Sequence, residues 1–295
     1  MQPRPTRRAV LRATLIGTTW TGLGAPARAA PARDPAAEIA ALEAKLGGRI
    51  GVAALDAGTR QRIVYRGDER FPMTSTFKML AAAFVLARVD RGDEDLERRV
   101  RFSSDDLVTY SPVTKDRTHG NGMSMAELCE AAVVVSDNTA GNLLLSSFGG
   151  PPGLTGFVKS LGDDTTRLDR IEPALNEAAP GDPRDTTSPA AMLETMRRIL
   201  VDDALAPPSR ERLLRWMRAS KTGEARLRAG FPKDWVAGDK TGSGENGTAN
   251  DVAVAVRPSA VPVLLACYMT GSKANSARLN ETHAAIGRLV AAAFR

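Results

Sequence analysis

Ser75-Thr76-Phe77-Lys78, running straight into Met79-Leu80-Ala81-Ala82-Ala83-Phe84-Val85-Leu86-Ala87, is the stretch around which the chain organises. The run from Met79 is apolar nearly all round, which predicts a helix central to a core and stopped at Arg91-Gly92-Asp93. The start of that helix is therefore a fixed point. Lys78 stands three residues after Ser75 and shares its face, which puts an amine beside a hydroxyl. Backbone N–H groups at a helix start have no intrahelical partner and the dipole end is positive, so an oxyanion forming beside Ser75 would meet preorganised donors. This is an arrangement for covalent catalysis. The same residues also fit a plain N-cap with a solvated first-turn lysine, and the rest of the chain has to decide between the two.

Residues 1–29 read as a leader. Thr6-Arg7-Arg8-Ala9-Val10-Leu11-Arg12 has the form of a twin-arginine export signal, a modestly apolar stretch follows, and Ala27-Arg28-Ala29 is a small-x-small cleavage site. Cleavage after Ala29 removes five arginines and no acidic residue, so the formal charge falls from +6 to about +1. The basic balance thus belongs to the leader, and a nucleic-acid or anionic-membrane partner loses its main argument. No later stretch is long and apolar enough to span a bilayer, so the mature chain is expected to be exported and soluble, in a periplasm or outside the cell. Monomer is the default expectation.

The chain has two cysteines and two histidines. Cys129 falls in a predicted helix and Cys267 in a predicted strand, both in apolar surroundings that favour buried free thiols; neither follows the leader, which argues against a lipid anchor. His119 lies in a Gly/Asn loop and His283 in the last helix, without catalytic or ligand motifs around them. That excludes a Ser-His-Asp hydrolase and a His-rich zinc hydrolase, and no metal or cofactor is expected. Hydrolytic chemistry here has to use lysine or carboxylate bases.

Ala36 to Leu46 reads as an amphipathic helix, and Arg49 to Leu55 and Gln61 to Tyr65 as strands joined by a turn at Asp56-Ala57-Gly58. Helical patterns dominate from Ser75 to about Met217. Strands return at Trp235 to Thr241, Asp251 to Val256 and Val261 to Met269, and Asn275 to Phe294 closes the chain as a helix. The pattern predicts an α/β chain of the α+β type: a five-stranded antiparallel sheet flanked by helices, with an all-helical subdomain inserted between the early and late strands. The catalytic domain is expected over 30–295, its α/β part being 30–70 and 218–295 and its helical part 71–217. A cleft between the two parts is the natural site.

Three more motifs bear on that cleft. Val133-Val134-Val135-Ser136-Asp137-Asn138-Thr139 lies between two helices, where Asp137 or Asn138 could cap the second and where a hydroxyl and an amide could face a cleft. Lys240-Thr241-Gly242-Ser243-Gly244 ends a strand that begins Trp235-Val236-Ala237 and offers an ammonium, hydroxyls and backbone N–H groups. Its near duplicate Lys221-Thr222-Gly223 follows a helix and reads as a helix terminus with its usual Gly, so we reject it as the catalytic copy. Glu172-Pro173-Ala174-Leu175-Asn176 sits in a Pro/Gly/Asp-rich loop from about Arg170 to Asp185.

S-x-x-K, S-D-N and K-T-G in that order make the chain resemble the serine β-lactamases and penicillin-binding enzymes, and Glu172 to Asn176 make it similar to the class A β-lactamases over essentially the whole mature length. The resemblance implies hydrolysis of the β-lactam amide of penicillins, and of cephalosporins as a second class, giving antibiotic resistance. Ser75 would be the nucleophile. The backbone N–H groups of Ser75 and Ser243 would hold the oxyanion. Lys78, or Glu172 through a water, would take the Ser75 proton. Ser136 with Lys240 would protonate the leaving nitrogen, and Glu172 with Asn176 would activate the deacylating water. Asn138, Tyr110, Thr241 and Ser243 would bind substrate. The family further implies a cis Glu172-Pro173 bond and an Arg170–Asp185 pair.

Two departures matter. Many relatives carry an arginine where Ala249 stands here; Arg226 matches the alternative arginine of other members and is expected to bind the substrate carboxylate. The bridge that the family often makes to Cys129 would need a cysteine at Ala82, and that of some carbapenem-hydrolysing members would need cysteines at Thr74 and Gly244. Neither can form. The rivals are a DD-peptidase or penicillin-binding protein, which lacks a deacylating carboxylate loop, and a non-catalytic β-lactam sensor.

Overall fold

The computed structural model of the protein describes residues 34–258 and 261–294; the leader and Ser259 of the predicted Arg257-Pro258-Ser259 turn lie outside them. The strands are β1 (Arg49–Asp56), β2 (Arg62–Tyr65), β3 (Phe71–Pro72), β4 (Arg99–Val100), β5 (Met123–Ser124), β6 (Thr186–Thr187), β7 (Val236–Gly244), β8 (Thr248–Val256) and β9 (Pro262–Thr270). The helices are α1 (Pro35–Leu46), α2 (Phe77–Asp90), α3 (Met125–Val134), α4 (Asn138–Ser147), α5 (Gly150–Ser160), α6 (Pro189–Leu200), α7 (Pro207–Arg218) and α8 (Ser276–Ala293). Two early and three late strands form one five-stranded sheet of order β2-β1-β9-β8-β7, antiparallel throughout. This is the predicted architecture. The remaining strands pair as β3 with β6 and β4 with β5, which are too short to leave a pattern in sequence.

Both faces of the sheet are covered, because its strands alternate between two cores. Ala53 and Leu55 of β1, Val252 and Val254 of β8, and Leu264, Ala266 and Tyr268 of β9 face the helical part. Ile50, Val52 and Ala54 of β1 and Val263, Leu265, Cys267 and Met269 of β9 face α1 and α8. The apolar run that begins at Met79 becomes α2, with Phe77, Met79, Leu80, Val85 and Leu86 fully buried. Each such side chain contributes roughly 1.5–3 kcal/mol relative to exposure, so the helix and the turn that precedes it are held rigidly.

The nucleophile turn differs in detail from the expectation. Thr74–Thr76 form a 3-10 turn and α2 begins at Phe77, so Ser75 precedes the helix and does not cap it with its side chain. Gly223 is not a helix terminus either: α7 ends at Arg218 with Ala219 as its cap. Gly223 lacks a side chain for a packing reason, since a Cβ there would fall 1.4 Å from Asp239 Oδ2. Cys129 and Cys267 are buried free thiols. Among the described residues no helix is long and apolar enough to cross a membrane.

Candidate active site

Ser75, Lys78, Ser136, Glu172, Asn176 and Lys240 come together from four separate segments. Lys78 is fully buried, and its Nζ donates to Ser75 Oγ at 3.0 Å, Ser136 O at 2.9 Å and Asn138 Oδ1 at 2.6 Å. The same Nζ stands 2.9 Å from Glu172 Oε1, in an ion pair sealed from solvent. Ser75 Oγ donates to that Glu172 oxygen at 2.9 Å. The Ser75 hydroxyl therefore lies between an ammonium that donates to it and a carboxylate that accepts from it. Burial pushes the Lys78 ammonium down from its ordinary value, while Glu172, and then Asp137, pull it back up.

Glu172 is fixed from both sides of its chain. Asn142 of α4 donates through Nδ2 to Glu172 O and accepts from Glu172 N through Oδ1, both at 2.9 Å. The Glu172-Pro173 bond is cis, as the resemblance implies. Asn176 Nδ2 donates to Glu172 Oε2 at 2.5 Å, and Asn176 Oδ1 is buried without a protein partner. An acceptor in that position, next to a carboxylate, suits a water held by both groups. Arg170 Nε donates to Asp185 Oδ2 at 2.6 Å, which closes the loop by the expected pair.

Ser136 has a positive φ of 62°. Its Oγ accepts from Lys240 Nζ at 3.0 Å and stands 3.5 Å from Lys78 Nζ, so one hydroxyl joins the two buried lysines. Burial first, and then the Lys78 cation, bring the Lys240 ammonium down to about 7, against the opposing pull of Asp239. Both readings of the S-D-N segment hold. Asp137 caps α4 through Ala140 N at 2.9 Å and ties down Val113 N and Thr114 N, while Ser136 and Asn138 face the lysines.

The strand carrying K-T-G lies against the nucleophile turn because Gly242 has no side chain: a Cβ would stand 2.1 Å from Thr74 Oγ1 and 3.2 Å from Ser75 N. Arg226, mostly buried, donates to Gly242 O at 2.8 Å, Asn250 O at 2.6 Å and Ser243 Oγ at 2.7 Å. Its guanidinium thus reaches the strand from which the arginine of other relatives is missing. Tyr110 is 56% exposed, at positive φ, and its carbonyl accepts from Asn138 N at 3.0 Å.

Four contributors were missed in sequence. In sequence Asn142 belongs to no motif, and Asp137 reads as a cap with nothing to show its hold on Val113 and Thr114. Asn250 Nδ2 donates to Pro72 O, Met73 O and Thr74 Oγ1, which pins the nucleophile turn to β8. Its signal was a polar residue inside an apolar strand. Thr222, in the rejected duplicate, accepts from Thr241 Oγ1 at 2.6 Å and so supports the motif that it resembles.

Comparison with known proteins agrees with this geometry. A model of the beta-lactamase enzyme family matches residues 34–294. The chain is 42% identical to beta-lactamase Toho-1 of Escherichia coli over all of both chains. It is 47% identical to a beta-lactamase of Streptomyces fradiae, over 99% of this chain and 97% of that one. The structure of an ancestral (GNCA) class A beta-lactamase superposes with a TM-score of 0.87 at 57% identity, covering 88% of this chain and 100% of that chain. The chain belongs to the class A serine β-lactamases and is a β-lactam hydrolase of antibiotic resistance.

Proposed function

We propose that the chain opens penicillins and cephalosporins through an ester on Ser75 that a Glu172-activated water releases. Ser75 Oγ attacks the ring carbonyl as its proton passes to Glu172, directly or through a water, and the backbone N–H groups of Ser75 and Ser243 receive the oxyanion. The C–N bond then breaks: Ser136 gives its proton to the ring nitrogen while Lys240 holds the hydroxyl, and the proton that Glu172 took passes through Lys78 Nζ to Ser136, so that Glu172 is a carboxylate again. In the second half Glu172 takes a proton from a water shared with Asn176, the water attacks the ester, and Ser75 regains its hydrogen. Asn138 and Tyr110 contact the acyl side chain; Thr241, Ser243 and Arg226 bind the ring carboxylate. What supports this reading most is the Ser75 hydroxyl itself, which donates to Glu172 Oε1 while accepting from Lys78 Nζ.

We take the working enzyme to be one catalytic unit over 30–295, with its α/β part at 30–70 and 218–295 and its helical part at 71–217. It acts as a monomer with no membrane anchor, exported by its twin-arginine leader to the periplasm or the medium.

Glu172→Ala tests the assignment, with turnover followed by absorbance and adducts by intact mass. The wild type is expected to turn over many times. The variant should hold a penicilloyl adduct on Ser75 and should form it at least tenfold more slowly if Glu172 also takes the acylation proton. Adduct formation at the wild-type rate would give that step to Lys78. Stable adducts on both proteins would make the chain a penicillin-binding protein or sensor.

A further inference from the structure

Behind the Glu172 loop, away from Ser75, a cavity of about 410 Å3 lies between the loop's second half and the ends of β1, β3 and β9. None of the residues assigned to the chemistry lines it. Its walls are largely apolar, with Pro72 on one side and Ala179, Pro180 and Pro183 on the other. The charged groups around it are not equivalent. Asp182 is taken by Arg184 at 2.7 Å, and Glu69 by Arg66 at 2.8 Å and Arg49 at 3.5 Å. Arg70 has no carboxylate within ion-pair distance among the described residues. Its Nη1 donates to Thr165 O and Thr186 Oγ1, both neutral, and its Nε and Nη2 have no acceptor among the described residues. That free edge is the one with which a guanidinium grips a carboxylate by two parallel bonds.

We propose that this cavity binds a small carboxylate with a flat apolar body, an arenecarboxylate in chemical class, the carboxylate on Arg70 and the ring among the prolines. The size and the balance of apolar wall to one placed charge are those of small-molecule sites. Occupation reaches the catalytic loop by a short route. Asn246 Nδ2 donates to Glu177 O at 3.2 Å and Ala178 O at 3.1 Å, and Glu245 N donates to Asn176 O at 2.9 Å. Ala178 lines the cavity in a left-handed conformation, φ 50°, two residues after Asn176. A ligand that favours one arrangement of residues 178–183 therefore changes how Asn176 is held.

The test is a titration of the full chain with 2-naphthoate, followed by backbone amide NMR, with 2-naphthylmethanol as the neutral counterpart. Wild type, Arg70→Gln and Arg226→Ala are compared. Saturable shifts at Ala178–Asp182 and Gly271 are expected in the wild type and in Arg226→Ala. Binding should weaken at least tenfold in Arg70→Gln and for the alcohol, and inhibition of cephalosporin turnover should be non-competitive. Shifts confined to Thr241 and Ser243 and lost in Arg226→Ala would mean that the carboxylate occupies the substrate site, and would overturn the proposal. Undiminished binding by Arg70→Gln would do the same. Ala179→Phe fills the cavity and leaves Arg70 in place; it should abolish the shifts, and binding that survives it counts against the cavity even if Arg70→Gln fails to fold.

Discussion

Two lysines share one serine hydroxyl at this site; burial pushes both ammonium groups down, and only Lys78 has a carboxylate at 2.9 Å to oppose it. Lys240 is fully buried with a hydroxyl and a backbone carbonyl as acceptors, and its ammonium loses its proton near pH 7. In the proposed mechanism a cation there holds the Ser136 hydroxyl as it protonates the leaving nitrogen. Since kcat/KM reports groups of the free enzyme, it is expected to fall as pH rises through about 7, where Lys240 becomes neutral. Lys240→Arg keeps its charge throughout that range, so its alkaline limb should move up by at least one pH unit even if its plateau is lower. A pH profile of kcat/KM for both proteins checks this, and coincident limbs would assign the ionisation elsewhere. The linkage to stability has the same origin. The unfolded chain holds the Lys240 proton up to its ordinary range near 10.5, so between about 7 and 10.5 stability gains from this group as pH rises.

At the scale of elements, the loop from Arg170 to Asp185 works because a few buried groups replace regular structure. Asp185, 1% exposed, accepts from Asp169 N at 2.8 Å and Arg170 N at 2.9 Å, pairs with Arg170 Nε, and through its carbonyl accepts from Met73 N at 2.8 Å beside the nucleophile turn. Asp185→Asn removes the charge facing Arg170 and turns a donor toward another donor. Breaking such a pair costs about 3 kcal/mol, at the low end of the usual range because Arg170 keeps Glu177 as a partner. The midpoint in urea should fall accordingly, and deacylation should slow more than acylation, because in the proposed mechanism Glu172 serves both steps whereas Asn176, on the same loop, serves only deacylation. Single-turnover kinetics separate the two steps; equal slowing of both would deny the loop its selective role. The loop's ends were legible in sequence, since Pro, Gly and Asp cluster there, and its Arg170–Asp185 pair only through the resemblance. The clamp from Asn142 was not, because it joins residues thirty positions apart through side chain to backbone bonds that leave no local pattern.

For the whole molecule, the sheet could be read because apolar strands announce themselves, and their pairing followed from two early and three late ones. The second core behind that sheet was less legible. Alternation along β9 does not say what covers Cys267 and Met269, and His283 carried no motif in sequence because its role is packing. His283 is fully buried in α8, with Nδ1 3.0 Å from Leu279 O and Nε2 without a partner. Burial, and after it the Arg226 cation, bring its imidazolium down to about 3 from 6.5. In the unfolded chain the ring takes up a proton as pH falls through 6.5; in the native protein it does so only near 3. The unfolded state therefore binds more protons across that window, and stability contributed at pH 7 is progressively lost as pH falls from about 6.5 toward 3. Carboxylates held low by arginines, among them Asp169 beside Arg167, lose stability in the same direction, so the wild-type curve alone cannot assign the effect. His283→Phe fills a similar volume and keeps every one of those carboxylates. Its Tm is expected to decline less steeply than that of the wild type between pH 6.5 and 4, whatever the offset between the two proteins at pH 7. Parallel curves would mean that the buried ring takes no part in acid unfolding.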